Sequence, residues 1–478
     1  MLTPARRWVA SVPAPDRSGT DGDGRDRVTG DRAVPLVAGS LALSVALGAL
    51  ALATGQSPLL LLAAVLVGPV LVVAAVALVL RPQRGVLLLA ALLPFDGLQQ
   101  IVGFPAGWKE ALTLAVLGAT FVAPFAVRAT GRGRLPQWTY LIVALAALGV
   151  VSAVLVGGSR GLVGLKVGFF YVLLALAVWR CPLDARERDR LVSILMATGF
   201  ATAVFGLVQQ LLGPDRLVDL GYEYNTDIRT AGGFLRSFST FDTSFAFALY
   251  LMVVVLVGLA VALGAPRRLR NRLFLLSLPV ILAAMAVAIT RVAFLGLAAG
   301  LVYLAITKYR SLVVVFIDGV VIAAVLLVAA ASFSGAFLST SSSEARFDLW
   351  GGNVSEIVAH PFGAGVGATG AAAEKAAEVA GSDEEVFQPD NYYFKIAYEF
   401  GVIGLWLFAL FLAAAAASTH QVARRLTGTD AAFASGVAAC VIAAAVASVV
   451  STYFEIFPLD AYFWLLLAVV ATCAPESR

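Results

Sequence analysis

The segment DNYYFKIAYEFGVIGLWLFALFL, residues 390–412, combines two properties from which the fold class follows. Its second half is an unbroken apolar run, and its first half carries Asp390, Lys395 and Glu399. About 20 apolar residues, at a rise of about 1.5 Å each, cross the roughly 30 Å hydrocarbon core of a bilayer. Ionisable groups in such a helix are costly and usually functional. The segment therefore predicts a membrane helix with chemistry at one end.

Outward from this segment, apolar runs recur along the whole chain. Of its 478 residues, 60% are hydrophobic and 13% are charged, and the mean hydropathy is +0.90. This pattern predicts an all-α fold, a polytopic transmembrane helical bundle of about 12–14 spans. The predicted spans begin near Val34, Pro58, Gly85, Glu110, Gln137, Leu162, Leu191, Phe241, Leu273, Val292, Ser311, Asn391, Asp430 and Pro458.

The basic loops predict how the bundle is oriented. Loops rich in Lys and Arg, such as RPQR at 81–84 and RATGRGR at 128–134, alternate with the other loops. Such loops remain in the cytoplasm, so both termini are predicted to be cytoplasmic. The net charge of +4 is explained by this topology, and no nucleic-acid partner is predicted.

The predicted organisation has four parts. Residues 1–33 are polar with mixed charges, which is typical of a disordered cytoplasmic tail and not of a signal peptide. Residues 34–331 hold transmembrane helices 1–11, and residues 332–389 form a long extracytoplasmic loop. Residues 390–478 hold helices 12–14.

The long loop is predicted to carry short amphipathic helices. Ser341 followed by Glu344 is typical of a capping box, and Pro361 ends this first helix. Its apolar positions, at spacings of three and four, are Phe347, Trp350, Val354 and Ile357. The stretch FGAGVG at 362–367 is interpreted as a turn, and residues 371–380 as a second helix.

Basic residues on the predicted outer side are informative because they oppose the topology rule. They are Arg160, Lys166, Arg216, Arg229, Arg236, Arg291, Arg346 and Lys395. Some have structural alternatives. Arg160 can snorkel to the lipid head groups, and the hydroxyls after Arg236 can form a polar helix start, with Thr240 or Asp242 as the N-cap.

Three further alternatives concern ion pairs and caps. Arg291 stands between two apolar runs, in a very tight turn or a broken helix, and its alternative role is a buried pair with Glu399. Arg346 can pair on the surface with Glu344 or Asp348. His360 can bond the last carbonyls of its helix.

Three segments follow one another in a recognisable order and spacing. They are FLRSFSTFDTSFAFALYL, EARFDLWGGNVSEIVAHPFGAGVG and DNYYFKIAYEFGVIGLWLF. Together they resemble the O-antigen ligase and O-antigen polymerase family of membrane glycosyltransferases. Its pattern is an arginine before GTF and a span, an arginine–tryptophan helix, a Pro–Gly turn and a Glu–Gly–Gly helix. The last motif corresponds here to Asp390, Asn391, Glu399, Gly401 and Gly404.

The resemblance implies a polyprenyl-pyrophosphate-linked oligosaccharide donor and a glycan or glycolipid acceptor, among membrane lipids, with no cofactor and no metal. The glycan would move to a hydroxyl on the extracytoplasmic face of a bacterial plasma (inner) membrane. Family ligases carry a histidine where Asp390 stands, which favours polymerase-like transfer over strict ligation. FST also stands where GTF is usual.

The chemistry of the leaving group predicts the binding residues. Charge builds on a departing pyrophosphate, and preorganised cations in a site poor in water stabilise it. Arginine grips phosphate oxygens in pairs and keeps its proton. We therefore predict Arg236 and Arg291 as the pyrophosphate clamp. The secondary members are Arg160, Lys166 and Arg346.

The acceptor hydroxyl needs a base, and Asp390 is the predicted catalytic residue. Its alternative role is that of an N-cap alone. Glu399 lies on the opposite helix face, about 13.5 Å deeper, and can pair with Lys395. Gly401 and Gly404 are interpreted as positions of close helix packing. The predicted supporting residues are His360, Glu399 and Trp350.

Two other classes of function remain open from the sequence. A lipid-linked glycan flippase or another secondary transporter also buries charges in a bundle, but it is expected to show repeats and matching broken helices. A scaffold in a cell-envelope complex would tolerate replacement of the outer arginines.

Overall fold

The computed structural model describes residues 77–102, 107–122, 135–156, 158–224, 228–231, 233–310, 312, 353–381 and 387–473. Several predicted features lie outside these residues. They are the tail at 1–33, the spans beginning near Val34, Pro58 and Ser311, and the loop positions Arg346 and Trp350. Residues Leu78–Arg478 belong to one compact unit.

Helices make up most of the described structure. They are α1 (Pro82–Leu92), α2 (Gln99–Val102), α3 (Trp108–Val122), α4 (Gln137–Val156), α5 (Gly158–Phe169), α6 (Val172–Arg180), α7 (Ala185–Asp219), α8 (Ser244–Gly264), α9 (Leu269–Val287), α10 (Arg291–Thr307), α11 (Gly370–Ala380), α12 (Tyr392–Arg425), α13 (Gly428–Ala447) and α14 (Leu459–Thr472). Two-residue strands β1 (Thr230–Ala231) and β2 (Phe234–Leu235) form an antiparallel hairpin. The predicted all-α fold is confirmed.

The chain is a multi-pass membrane protein. Among the described residues, seven helices are long and apolar enough to cross a bilayer, or eight if the bent pair α5–α6 is one span. The seven are Pro82–Val102, Gln137–Leu155, Ala185–Asp219, Ser244–Gly264, Leu269–Val287, Tyr392–Arg425 and Gly428–Ala447. Helices α10 and α14 are apolar but shorter. The span predicted to begin near Glu110 corresponds to α3, which has 15 residues within the described part of the chain.

The centre of the bundle is α8, whose sequence is apolar on every side. A helix of this kind is stable only where other helices surround it, and 94% of its apolar window is buried. Small residues let the neighbouring backbones come close. A Cβ on Gly436 of α13 would lie 2.8 Å from the Cα of Val257, and one on Gly258 would lie 2.3 Å from the ring of Phe274 in α9.

Several irregular segments gather at one end of this bundle. The amide of Tyr392, at the start of α12, donates to the carbonyl of Ser448 just after α13 (2.9 Å). The amide of Gly97 donates to Thr240 ahead of α8 (3.0 Å). The turn between α9 and α10 has Ile289 at φ 50°. Polar backbone therefore concentrates where α8, α10 and α12 begin.

Candidate active site

The linker between β2 and α8 is held by buried polar side chains. The Gln209 side chain of α7 accepts from the amide of Ser239 (2.7 Å) and donates to its carbonyl (2.9 Å). Thr240 donates to the carbonyl of Pro94. The N-cap of α8 is Thr243, whose hydroxyl accepts from Ala246 (3.2 Å). The prediction of Thr240 or Asp242 as the cap is therefore wrong, and Thr240 is used instead to join the linker to the segment after α1.

The same linker brings Arg236 and Arg291 to one junction. Ser237 donates its amide to Val287, at the end of α9 (3.1 Å). The hydroxyl of Thr290, just before Arg291, donates to Ser244 (3.3 Å). Arg236 precedes Ser237 and Arg291 follows Thr290, so each arginine is next to a residue that makes one of these two hydrogen bonds. Both arginines are half-buried. We call Arg236 and Arg291, together with the two hydrogen bonds made by Ser237 and Thr290, the arginine junction. Of the two predicted alternatives at Arg291, the structure has the tight turn, since α9 ends at Val287 and α10 begins at Arg291.

Arg160 and Lys166, the secondary clamp residues, lie on α5 and make other contacts. Arg160 donates to the carbonyl of Ala364 (3.4 Å). Lys166 forms an ion pair with Glu110 (2.7 Å), and its side chain is 52% exposed. Arg160 therefore supports the glycine-rich turn, and the charge of Lys166 is already balanced by a carboxylate.

Helix α12 is broken at Gly401, which has φ 64° and ψ −164°. The turn at 363–367 fills the break, because Ala364 and Gly365 donate their amides to the carbonyls of Tyr398 (2.7 Å) and Glu399 (3.1 Å). A Cβ on Gly401 would lie 2.3 Å from the carbonyl oxygen of Pro361. The interpretation of Gly401 as a helix-packing residue is wrong, because it permits a positive φ and a close backbone approach.

The turn and the break enclose a buried group of charges. Lys395 forms ion pairs with Glu399 (2.7 Å) and with Glu455 (2.9 Å), and the three side chains are only 3–4% exposed. Lys395 also donates to the carbonyl of Thr369 (3.2 Å), while Glu399 accepts from the amide of Gly367 (3.1 Å). The predicted Lys395–Glu399 pair is confirmed. We call Lys395, Glu399 and Glu455 the buried triad.

Glu455 is a residue that sequence reasoning missed. It follows α13 and is the only charged residue between Asp430 and Asp460. That isolation was the available signal, since an ionisable group in apolar surroundings indicates a functional site. Burial raises the pKa of Glu455 above its usual value, against the opposing effect of Lys395. One ammonium faces two carboxylates, so the triad has an excess of one negative charge when all three are ionised.

Glu455 also faces a cleft of about 340 Å³. Its lining consists of Asp242, Thr243, Gly370, Ala371, Glu374, Gln388, Pro389, Asp390, Thr452, Glu455, Ile456 and Phe457. Four of these are carboxylic acids, and none of the described lining residues is basic. We call this space the acidic cleft.

Asp390 lines the acidic cleft and is exposed. The N-cap of α12 is the next residue, Asn391, whose side-chain oxygen accepts from the amides of Tyr393 (2.9 Å) and Phe394 (3.3 Å). The prediction of Asp390 as the N-cap is therefore wrong, and its alternative role as a cap alone is removed. Glu399 does not line this cleft, in agreement with its predicted separation from Asp390. Lys395, which pairs with both glutamates, connects Glu399 to Glu455 at the cleft wall.

His360 lies at the end of a short helix at 353–359. Its Nδ1 is 3.0 Å from the carbonyl oxygen of Glu356, and its ring packs edge-on against Tyr398. This contact fits the alternative that His360 bonds the last carbonyls of its helix. The predicted second helix of the loop is confirmed as α11.

Comparison with known protein families adds one match. Residues 278–409 match the family model described as O-antigen ligase, and no curated protein matches the chain. The matched segment includes Arg291, the glycine-rich turn, Asp390 and the break at Gly401, whereas Arg236 and Glu455 lie outside it. The resemblance predicted from the sequence is confirmed over this segment. Over residues 278–409, the chain is therefore similar to the O-antigen ligase family.

Proposed function

We propose that the protein transfers a polyprenyl-pyrophosphate-linked glycan to an acceptor hydroxyl at the extracytoplasmic face of the plasma membrane. The observation that supports this most is the pairing of two sites at one end of the bundle. The arginine junction and the acidic cleft share the linker that precedes α8, and the family match covers Arg291 and Asp390. A transferase of this class needs one site for an anionic donor and one for a neutral acceptor.

The opposite charges of the two sites assign a substrate to each. A pyrophosphate would be repelled by the carboxylates of the acidic cleft, while guanidinium groups favour it and stabilise the charge that builds as it leaves. A sugar hydroxyl carries no charge and is a suitable partner for carboxylate oxygens. The donor pyrophosphate therefore binds Arg236 and Arg291, and the acceptor glycan enters the cleft.

Asp390 acts as the general base in this proposal. The acceptor oxygen attacks the anomeric carbon of the donor sugar, and its proton passes to the Asp390 carboxylate. The bond from that carbon to the pyrophosphate oxygen breaks, and both of its electrons leave with the pyrophosphate. Glu455 holds the acceptor from the cleft wall and is itself held by Lys395. An aspartate in the place of the family histidine favours growth of a polymer from lipid-linked units.

One observation favours the transporter alternative, since broken helices are typical of transporters and α12 is broken at Gly401. In transporters such breaks usually expose backbone to a substrate or ion. Here the carbonyls of Tyr398 and Glu399 accept amides from the turn at 363–367. The break therefore serves to hold this turn and the buried triad, which favours the transferase.

Purified protein reconstituted in lipid vesicles distinguishes the two functions. With a polyprenyl-pyrophosphate glycan as the only substrate, we expect release of polyprenyl pyrophosphate. For each polyprenyl pyrophosphate released, one glycan unit should be added to a growing chain. Movement of the lipid-linked glycan across a vesicle membrane, with no release of polyprenyl pyrophosphate, would contradict the proposal and favour the flippase.

A further inference from the structure

A second large cavity lies at the other end of the bundle. It has a volume of about 660 Å³ and is bounded by the ends of α8, α10 and α12 and the start of α13. His420 at its wall is 21 residues beyond Glu399 on α12, which is about 30 Å along a helix. Its lining consists of Leu263, Gly264, Tyr303, Thr307, Lys308, Tyr309, His420, Ala423, Arg424, Leu426, Thr427, Gly428, Ala431 and Ser435. We call it the basic cavity.

The charge of the basic cavity is opposite to that of the acidic cleft. Lys308, His420 and Arg424 line it, and none of its described lining residues is an acid. Lys308 is 3.4 Å from the neutral hydroxyl of Ser435. Within the described parts of the chain, neither Lys308 nor Arg424 has a carboxylate at ion-pair distance. The two cations therefore face a common space without a counter-charge from the described residues.

Hydrogen bonds hold the two tyrosines of the cavity in place. The hydroxyl of Tyr303 is 2.8 Å from Nδ1 of His420, and Tyr309 donates to the carbonyl of Ala260 (2.7 Å). Partial burial lowers the pKa of Lys308, and a bound anion would offset this effect by favouring the ammonium form. The tyrosine side of the cavity is therefore held in place, and a bound anion would favour the charged form of Lys308.

The position of the cavity indicates where the anion comes from. It lies where membrane-spanning helices end, and Leu263, Ala423 and Leu426 give it an apolar side. Basic pockets between membrane-spanning helices bind the head groups of anionic lipids. We propose that the basic cavity binds a phosphate group belonging to the head group of an anionic phospholipid, separately from glycan transfer. The bound lipid would hold the ends of α10 and α12 and the start of α13 together.

Two double variants with the same change in charge test this site. Lys308→Gln with Arg424→Gln removes both cavity cations, while Arg310→Gln with Arg425→Gln removes exposed neighbours that do not line the cavity. Phosphatidylglycerol binding is measured by native mass spectrometry of detergent-purified protein, with phosphatidylcholine as the uncharged comparison. We expect binding of phosphatidylglycerol to weaken about thirtyfold in the cavity variant and to stay within about threefold of the wild type in the neighbour variant.

A second measurement distinguishes a lipid from free phosphate. The melting temperature of the wild type should rise with phosphatidylglycerol, and inorganic phosphate at equal concentration should have little effect. Equal protection by inorganic phosphate would overturn the assignment to a lipid. Equal loss of phosphatidylglycerol from both double variants would show only general surface attraction and would overturn the site itself.

Discussion

The arginine junction and the acidic cleft share one linker of the chain but differ in charge and in how the fold holds them. The junction places two half-buried arginines where α8, α9 and α10 meet. The cleft places four carboxylic acids around an open space. One of them, Glu455, forms an ion pair with Lys395 of the buried triad. Under the proposed function, this difference would keep the anionic part of one substrate apart from the neutral hydroxyl of the other across a few residues of backbone. Each prediction below alters one side of this arrangement.

The largest effect is expected at the arginine junction. Arg291→Ala should lower glycan transfer about 10³-fold, because a preorganised cation is lost from the leaving pyrophosphate, and Arg236→Ala should act similarly. Arg291→Lys should retain part of the activity, since it keeps the charge and loses the paired grip. Polyprenyl pyrophosphate release by purified protein measures this effect. Arg267→Ala, an exposed arginine at the other end of the bundle, is the matched control. Full activity in both junction variants would remove the clamp from the account.

The next effect is expected in the cleft. Asp390→Asn should lower transfer about 10²-fold, because a neutral amide cannot accept the hydroxyl proton. Asp390→His should recover part of the rate, since family ligases have histidine at this position. Glu378→Gln, on α11 but outside the cleft lining, is the control. The same assay applies, and an unchanged rate in Asp390→Asn would mean that the base lies elsewhere.

A change in stability is expected from the buried triad. Lys395→Met leaves Glu399 and Glu455 buried without their cation, and the loss should be about 3–5 kcal/mol in the free energy of unfolding. Glu455→Gln should cost much less, because it leaves one lysine paired with one glutamate. Unfolding of purified protein in detergent, followed by tryptophan fluorescence, compares the two variants. A similar loss in both would mean that the triad does not act as a charge-balanced unit.

A smaller effect is expected at the break in α12. Gly401→Ala should destabilise the protein by about 1–3 kcal/mol, since alanine at a positive φ is strained, and the added Cβ would meet the Pro361 carbonyl. Gly118→Ala, in a helical position with no atom within 4 Å of the new Cβ, should be neutral or stabilising. Melting temperatures measure both variants. If Gly401→Ala is as stable as Gly118→Ala, the break is not needed to hold the turn.

The smallest effect concerns pH and Glu455. Burial raises its folded-state pKa above 4.5, so the folded protein holds this proton more tightly than the unfolded chain does. The stability contributed by Glu455 is therefore full below about pH 4.5 and is lost as the pH rises through the raised pKa. The melting temperature of the wild type, minus that of Glu455→Gln, should decrease over this range. A difference that stays constant with pH would contradict the assigned burial of this carboxyl group.

The sequence predicted what depends on local pattern. Apolar runs of membrane length gave the all-α bundle, and the four-residue spacing of Lys395 and Glu399 gave their ion pair. The order of three motifs gave the family before any comparison. The absence of a polar loop around Arg291 correctly indicated that the chain has either a tight turn or a broken helix there, but did not decide between them.

The rest depended on contacts that local pattern does not encode. Glu455 meets Lys395 across about 60 residues, and no periodicity connects them. The two N-caps were each misplaced by one to three residues, because several hydroxyl, amide and carboxylate side chains near the starts of α8 and α12 are all good caps. Glycine serves both close packing and positive φ, so the sequence alone did not decide which of these Gly401 provides.

The central claim is that the donor pyrophosphate binds the arginine junction while the acceptor enters the acidic cleft. A structure determined with a polyprenyl-pyrophosphate glycan bound tests it most directly. We expect phosphate oxygens within hydrogen-bond distance of both Arg236 and Arg291, with the first sugar directed toward Asp390. Pyrophosphate bound in the basic cavity, or at the lipid-facing surface away from both arginines, would contradict the account.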